Sequence, residues 1–205
     1  MKQKDQSTEE TILQAARKAF TKKGLSGARM QDIADESGIN KALVHYYFES
    51  KEKLFALVFE QEFGKLFSNL AAVVSSDLPL FEKIEQIVAM DFEKLSQFPD
   101  LPLFVINEVS RNPAMVVKRF RQLRIKDMLG TFQNQIDHEI KNGTIKSISA
   151  TQLLINIQSL SIFPFVSKPM VKNLFKMSEK NYKLMMQLRK KEVAMFIINA
   201  LKIKN

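Results

Sequence analysis

The 205-residue sequence contains no cysteine, no tryptophan and only two histidines, His45 and His138. The absence of cysteine excludes a disulfide-stapled fold, a thiolate nucleophile, and any zinc or iron–sulfur site built on cysteine. Two histidines are too few for a histidine-rich metal site, and His138 lies between two acidic residues on what we interpret as a solvated helix face. We therefore expect no metal and no cofactor.

Long apolar runs are also missing. No stretch approaches the roughly 18 apolar residues that span a bilayer, and the first residues, MKQKDQSTEE, lack the apolar centre of a signal peptide. Common catalytic motifs are absent too: there is no Gly-x-Ser-x-Gly elbow, no phosphate-cradling glycine loop and no His-Glu-x-x-His motif. These absences favour a cytoplasmic protein that neither enters a membrane nor acts as an enzyme.

The residues that are present predict an all-α fold. Hydrophobic residues make up 45% of the chain, which is enough to bury a sizeable core. Apolar positions recur at helical spacing, and we find no alternating runs that would indicate strands. Residues 1–50 are expected to hold three helices in one compact unit, and longer helices are expected over roughly 51–75, 80–97, 101–111, 113–141, 149–166, 169–176 and 178–203.

The segment MQDIADESGINKALVHYYFESKEKL, residues 30–54, has the layout of a helix-turn-helix. Gly38 can supply the left-handed turn residue, and Asn40 can cap the second helix. Val44 anchors this second helix to the core, which leaves its other side chains facing outward: Lys41, Ala42, Leu43, His45, Tyr46 and Tyr47. Such side chains meet base methyls and phosphates in the major groove, so we predict a recognition helix.

The same segment resembles the DNA-binding signature of TetR-type (tetracycline-repressor-like) transcriptional regulators. That signature has a threonine-rich entry, a hydrophobic-Ala-x-x-x-Gly-Val-Ser segment, a Leu-Tyr-x-His-Phe box and then Ser-Lys-Glu. Residues that fit it directly are Gly38, Ile39, Phe48, Ser50, Lys51 and Glu52. The resemblance covers about residues 8–60. It departs at three places: Ala28-Arg29 replaces threonine, Asn40 replaces the serine cap, and Val44-His45-Tyr46-Tyr47 replaces Leu-Tyr-x-His.

The resemblance and the helical geometry together assign ten residues to the DNA interface. Contacts to bases or to the groove wall are expected from Gln31, Leu43 and Tyr46. Phosphate contacts are expected from Arg29, Lys41, His45, Tyr47 and Lys51, the last aided by the dipole of the fourth helix. The interface also includes the cap and the first turn of the recognition helix, Asn40 and Ala42.

The resemblance implies a homodimer with a helix-turn-helix domain at residues 1–50 and a helical ligand-binding and dimerisation domain at residues 51–205. It implies repression at a palindromic double-stranded operator, relieved by a small molecule. Two alternatives remain open: a constitutive DNA-binding regulator without a ligand, and a helical adaptor. The adaptor would bind acidic partners through residues 168–205, where ten basic residues oppose two acidic ones.

The last helix supplies the predicted dimer interface. Its segment VAMFIINAL is apolar at every position but Asn199, and a helix that is apolar all round is expected to be buried on both sides. The helix over 149–166 is its natural companion in a four-helix interface across a two-fold axis. The residues assigned to this interface are Leu153, Ile157, Leu160, Val193, Phe196, Ile197 and Ala200.

A small hydrophobic effector is predicted to bind among the phenylalanine and methionine side chains of the second domain, although such residues also form ordinary cores. Asp91 shares a helical face with apolar neighbours, so it is either paired or functional. If it points into a cavity, an effector with a cation or a hydrogen-bond donor is favoured. The residues assigned to this pocket are Phe59, Phe63, Met90, Asp91, Phe104, Asn107, Glu108, Met128, Phe132, Asn156 and Phe163.

Overall fold

A computed structural model describes residues 2–203, without the side chains of residues 2–6, 115, 116, 119 and 120. The described residues form eleven α-helices and, apart from one isolated bridge between Ile145 and Lys202, no β-structure. The all-α fold is therefore confirmed. None of these helices is both long enough and apolar enough to cross a membrane. In chain order they are α1 Lys2–Gly27, α2 Met30–Ser37, α3 Lys41–Phe48, α4 Lys51–Val74, α5 Leu80–Gln97, α6 Leu101–Arg111, α7 Pro113–Gln122, α8 Ile125–Lys141, α9 Ala150–Val166, α10 Lys168–Leu174 and α11 Glu179–Leu201.

One helix predicted from the sequence is in fact two. The segment 113–141 was expected to be continuous, because it contains no proline after Pro113 and only one glycine. Arg124 nevertheless takes a left-handed conformation, with φ 52°, between α7 and α8. Its side chain then pairs with Asp127 in the first turn of α8, with Nε and Oδ2 2.6 Å apart. This break has no glycine or proline signal.

The chain divides into two compact units. The N-terminal unit contains α1–α3, the part of α4 up to Leu66, and Leu103–Arg111 of α6. The C-terminal unit contains Phe67–Pro102 and the chain from Asn112 onward. The domain boundary that we predict at residue 50 coincides with the turn before α4, whereas the contacts of α4 extend the N-terminal unit further along the chain.

Aromatic rings build much of the core of the N-terminal unit. The ring of Phe20 on α1 meets that of Phe55 on α4 edge-on, with centroids 5.1 Å apart. Phe55 and Phe59 both lie against Phe104 of α6, at centroid distances of 5.3 and 5.6 Å. Aromatic pairs in these arrangements stabilise a core beyond their buried area. The i, i+4 spacing of the phenylalanines along α4 therefore reflects a buried helix face.

The core of the C-terminal unit is formed by one face each of α5, α8, α9 and α11. Ile84, Phe132 and Ile157 are completely buried within it, and the ring of Phe92 meets that of Phe165 at 5.6 Å. These positions follow from helical periodicity, because apolar residues three or four apart share one face. The C-terminal unit therefore has a hydrophobic core of its own.

A buried lysine holds the end of α4 within the C-terminal unit. Lys83 on α5 is only 3% exposed, and its Nζ donates to the carbonyl oxygen of Val74 and to Oε1 of Gln135, each at 2.7 Å. Gln135 donates in turn to the carbonyl oxygen of Leu78 at 3.0 Å. Burial lowers the pKa of Lys83, while the carboxyl end of α4 attracts its positive charge. Nothing in the sequence marks this anchor.

Candidate nucleic-acid interface

The turn between α2 and α3 is built by two residues whose roles the sequence predicts. Gly38 takes the left-handed conformation, with φ 67° and ψ 14°, and its N–H donates to the carbonyl oxygens at the end of α2. A side chain with a Cβ is disfavoured in this region. Asn40 Oδ1 then accepts a hydrogen bond from the N–H of Ala42 at 2.9 Å, which caps α3. Both expectations are confirmed.

Helix α3 has a buried face and an exposed face. Val44 and Phe48, four residues apart, are buried and hold the helix to the unit. Tyr46 is 78% exposed and Leu43 is 40% exposed. Three of the other residues that we predict for the recognition surface are exposed as well: Lys41, Ala42 and His45. The structure thus brings apolar, aromatic and basic groups together on one outward surface.

The two tyrosines of α3 differ in their surroundings. The ring of Tyr46 projects outward and meets the edge of the Tyr47 ring, with centroids 5.6 Å apart. Tyr47 is half-buried and also lies beside Phe48 at 6.4 Å. His45 Nδ1 lies 3.3 Å from the carbonyl oxygen of Glu49 in the last turn. Tyr46 is therefore the aromatic group of α3 most available to a partner, and the half-buried ring of Tyr47 packs against it.

At the start of α2, the two predicted DNA-contacting side chains are engaged by carboxylates. Arg29 Nη2 lies 2.9 Å from Oδ1 of Asp32, and Lys23 Nζ lies 2.8 Å from Oδ2 of the same residue. These two cations hold the pKa of Asp32 well below its usual range. Gln31 Nε2 donates to Oδ1 of Asp35 at 2.7 Å. Both Arg29 and Gln31 are exposed, but they are already oriented by hydrogen bonds within α2.

The start of α4 presents the last predicted phosphate contact. Ser50 Oγ accepts a hydrogen bond from the N–H of Lys53 at 3.2 Å and so caps the helix. Lys53 pairs with Glu49, whereas Lys51 is half-buried and forms no ion pair with the described residues. A cation without a counterion beside a helix amino terminus is suited to a phosphate group.

The eleven residues predicted for the effector pocket are divided between the two units. In the N-terminal unit Phe59, Phe63 and Phe104 are core residues, Glu108 is buried and Asn107 is exposed. In the C-terminal unit Met128, Phe132 and Asp91 are buried, Met90 is half-buried and Asn156 is exposed. Phe163, which we expected inside the pocket, is 58% exposed, because it faces away from the core side of α9. Among the described residues, no cluster of acidic or histidine side chains could hold a metal ion.

Asp91 has a neutral partner rather than a cation. Its Oδ2 accepts a hydrogen bond from Nε2 of Gln158 on α9 at 2.9 Å. Burial outweighs this bond and raises the pKa of Asp91 to about 7. The sequence indicates that Asp91 is either paired or functional, and the structure identifies the amide of Gln158 as its partner. The carboxyl group is consequently poised to change its charge near neutral pH.

The residues predicted for the dimer interface separate into two groups. Leu153, Ile157, Val193 and Ile197 are buried in the core of their own chain, which corrects their assignment to a surface that faces a partner. Leu160 is half-buried, while Ala200 and Phe196 are exposed, Phe196 to 66%. Four further apolar side chains on the same two helices are exposed and were not predicted: Ile155 on α9, and Leu184, Leu188 and Met195 on α11. The spacing of the three on α11 places them on one face of that helix.

Comparisons with known proteins agree with the geometry of α2 and α3. Residues 12–58 match the model of the family described as bacterial regulatory proteins, tetR family. The chain is 32% identical over 102 residues to the HTH-type transcriptional repressor NicS of Pseudomonas putida, which covers 49% of this chain and 48% of NicS. It is 26% identical over 153 residues to the HTH-type transcriptional regulator RutR of Escherichia coli K12, with 71% of this chain and 68% of RutR covered.

Solved structures share the fold over nearly the whole chain. HlyIIR, a hemolysin II transcriptional regulator, has a TM-score of 0.64 at 22% identity, and the match covers 97% of this chain and 99% of HlyIIR. A TetR family transcription regulator from Marinobacter aquaeolei VT8 has a TM-score of 0.62 at 18% identity, with 100% of both chains covered. The likeness of fold therefore includes the C-terminal unit, which the family model does not reach.

The match at 12–58 contains α2, the Gly38 turn and α3, whose outward face carries the predicted contact residues. The relatives are transcriptional regulators and not enzymes, which accords with the absence of a catalytic motif in the sequence. The protein is thus a DNA-binding transcriptional regulator. Its helix-turn-helix segment, residues 12–58, is that of the tetR family of bacterial regulatory proteins.

Proposed function

We propose that this regulator is a homodimeric repressor that occupies a palindromic operator and leaves it when a small molecule binds. The observation that carries the proposal is the outer face of α3. Leu43 and Tyr46 project into solvent there beside Lys41 and His45, which leaves the apolar surface of the leucine and of the tyrosine ring in contact with water. A major groove supplies base edges and methyl groups for the first pair and phosphates for the second.

The remaining DNA contacts surround this face in the proposal. Lys51 would bind a phosphate at the amino terminus of α4. Arg29 would bind another phosphate while it shares its guanidinium with Asp32, because arginine has five donors and the ion pair leaves several of them free. Such phosphate contacts position the protein on the duplex, and α3 supplies the sequence preference.

Dimerisation is supported by an exposed apolar surface on α9 and α11. This α9–α11 apolar surface comprises Ile155, Phe163, Leu184, Leu188, Met195 and Phe196, each more than half exposed. The two helices pack against one another within the C-terminal unit. Contiguous exposed apolar groups on one chain mark a surface that another protein covers. In a dimer with a two-fold axis, the α9–α11 apolar surface of each copy would cover that of the other.

Repression and release complete the proposal. NicS is described as a transcriptional repressor, which favours repression over activation. We assign the response to a small hydrophobic molecule to the domain at residues 51–205. Asp91, the buried carboxyl group without a cationic partner, is our candidate for recognition of a cationic or hydrogen-bond-donating effector. A coupling of about 1–3 kcal/mol between effector and DNA would suffice for a switch.

The DNA assignment is tested by selection of operators from a random duplex pool, followed by gel-shift titration. We expect a palindrome with half-sites about one helical turn apart. The double variant Tyr46→Ala, Lys41→Ala should bind the selected duplex about 100-fold more weakly, since each lost contact is lost in both half-sites. Lys126→Ala, an exposed lysine on α8, is the control. Unchanged affinity of the double variant would show that α3 is not the recognition helix.

The effector assignment is tested by thermal-shift screening of hydrophobic cations and neutral lipophiles against the wild type and Asp91→Asn. A cation that stabilises only the wild type and releases the selected duplex supports the proposal. If no compound releases the duplex, the protein is a constitutive regulator. Salt-sensitive, sequence-independent binding that persists without residues 1–50 would instead favour the helical adaptor.

A further inference from the structure

The C-terminal unit contains a groove of about 400 Å³ that none of the predicted effector residues lines. It runs along α5 and the first half of α11, and it reaches the end of α9 and the start of α10. Its floor consists of side chains buried to more than 90%: Phe92, Leu95, Phe165, Tyr182 and Met186. The volume lies within the range of about 300–1,000 Å³ in which proteins bind small molecules.

The rim of the groove is charged, and its positive groups prevail. Glu179 is held by Lys168 and Lys172, with Nζ–Oε distances of 2.7 and 2.8 Å, and these cations lower its pKa to about 2. Lys183 and Lys190 also line the groove, and neither forms an ion pair with the described residues. One further carboxylate, Glu93, lies on the opposite wall.

The groove does not compete with the α9–α11 apolar surface. Its floor residues on α11, Tyr182 and Met186, alternate with Leu184 and Leu188, which face solvent. Because residues two positions apart on an α-helix point about 200° apart, the groove and the apolar surface lie on opposite faces of α11. A second copy seated on the apolar surface therefore leaves the groove open.

We propose that this groove binds a small amphipathic anion. Its apolar body lies on the aromatic and aliphatic floor, and its carboxylate or sulfonate group lies between Lys183 and Lys190. Apolar surface drives the binding, and the two lysines choose the sign of the charge, since a cationic ligand would be repelled by the same rim. Binding of the anion can be measured on the protein without DNA. Its outcome is therefore independent of the operator experiments.

Ligand charge provides the first test. Calorimetric titration of the full-length protein, without DNA, would compare decanoate, decanol and decyltrimethylammonium, each below the concentration at which it forms micelles. The three ligands share one alkyl chain and differ in the head group. We expect decanoate to bind most tightly and the ammonium ligand about tenfold or more less tightly. Equal affinities for the three ligands would overturn the proposal.

Lysine variants locate the site. The double variant Lys183→Gln, Lys190→Gln should weaken decanoate binding by about tenfold and leave decanol binding unchanged, because only the charged contacts are lost. The matched control is Lys126→Gln, Lys191→Gln, which removes the same charge from exposed positions outside the groove. Equal weakening by both pairs would show a general effect of net charge and would contradict a site at the groove.

A tryptophan introduced by mutation can report where the ligand binds, since the chain has no tryptophan of its own. Gln187→Trp places the single tryptophan at the groove, and Gln152→Trp places it at an exposed position of α9. Decanoate should shift the emission of the first variant with the same Kd that calorimetry gives, and it should not shift that of the second. A shift in the second variant alone would place the ligand elsewhere and overturn the proposal.

Discussion

Helices α3 and α11 both expose apolar side chains, but the residues that neighbour those side chains differ. On α3 the exposed Leu43 and Tyr46 alternate with Lys41 and His45, so the surface is mixed at the scale of single side chains. On α11 the exposed Leu184, Leu188 and Met195 lie along one line of the helix, and Lys191 is the charged residue on that line. A surface that alternates apolar and basic groups suits a hydrated polyanion, whereas a predominantly apolar line suits another protein.

Two buried carboxyl groups make a second comparison between the units. Glu62 in the N-terminal unit lies 2.7 Å from Nε of Arg17, and its side chain is only 1% exposed. Asp91 in the C-terminal unit is as deeply buried, but its partner is the amide of Gln158. Burial raises the pKa of Asp91 to about 7, despite the hydrogen bond from Gln158. A cationic partner favours the charged form of a buried acid, whereas burial without one favours the neutral form.

The largest expected effect would break the comparison at α11. Phe196→Glu should abolish dimerisation, because it places a charge at the centre of the proposed interface in both chains. Light scattering should then give a monomer, and operator binding should be lost with the second half-site. Val117→Glu changes an exposed apolar residue of α7 in the same way and should remain dimeric. A dimeric Phe196→Glu protein would refute the interface.

The next effect concerns Asp91 and the pH dependence of stability. The pKa of this group is raised in the folded state, so its contribution to stability is fully present below the unfolded pKa near 4. That contribution is lost as the pH rises through about 7, by up to ~4 kcal/mol. Urea unfolding of the wild type and Asp91→Asn between pH 4 and pH 8 measures the difference. Asp91→Asn should lose less stability over this range, and parallel curves would contradict the assignment.

A smaller effect would sharpen the assignment of the N-terminal unit. Lys51→Ala should weaken binding to every duplex alike, and it should reduce the slope of log affinity against log salt by about one for each lysine removed. Gel shifts at several salt concentrations, on the selected operator and on a scrambled duplex, provide the measurement. A change of preference between the two duplexes would mean that Lys51 reads bases rather than phosphates.

The smallest effect tests the cap of α3. Asn40→Ala removes the acceptor for the N–H of Ala42 and should lower the free energy of unfolding by about 1 kcal/mol. Asn40→Ser keeps an oxygen acceptor and should restore most of that loss. Chemical denaturation at fixed protein concentration measures both variants. If Asn40→Ser is as unstable as Asn40→Ala, the side chain stabilises the unit by something other than capping.

The helix-turn-helix was predictable because its signals are local. A left-handed glycine at Gly38, a cap at Asn40 and a buried pair at Val44 and Phe48 act within one turn of helix. The break at Arg124 was not predictable, since no glycine or proline marks it. Arg29 and Asp32 are only three residues apart, but their ion pair was not predicted. The family signature specifies residue types at positions and not the hydrogen bonds between them.

The sequence by itself determined the helical class, the limits of most helices and the face that α3 turns outward, because each depends on periodicity and capping over a few residues. Only the tertiary structure decided which side of α11 is free. Val193 and Phe196 are both apolar residues of α11, but Val193 is buried in the core of its own chain and Phe196 is exposed. Packing between distant helices also paired Asp91 with Gln158 and formed the basic groove. Such pairings form between helices that are far apart in the chain, and local periodicity does not predict which distant helices meet.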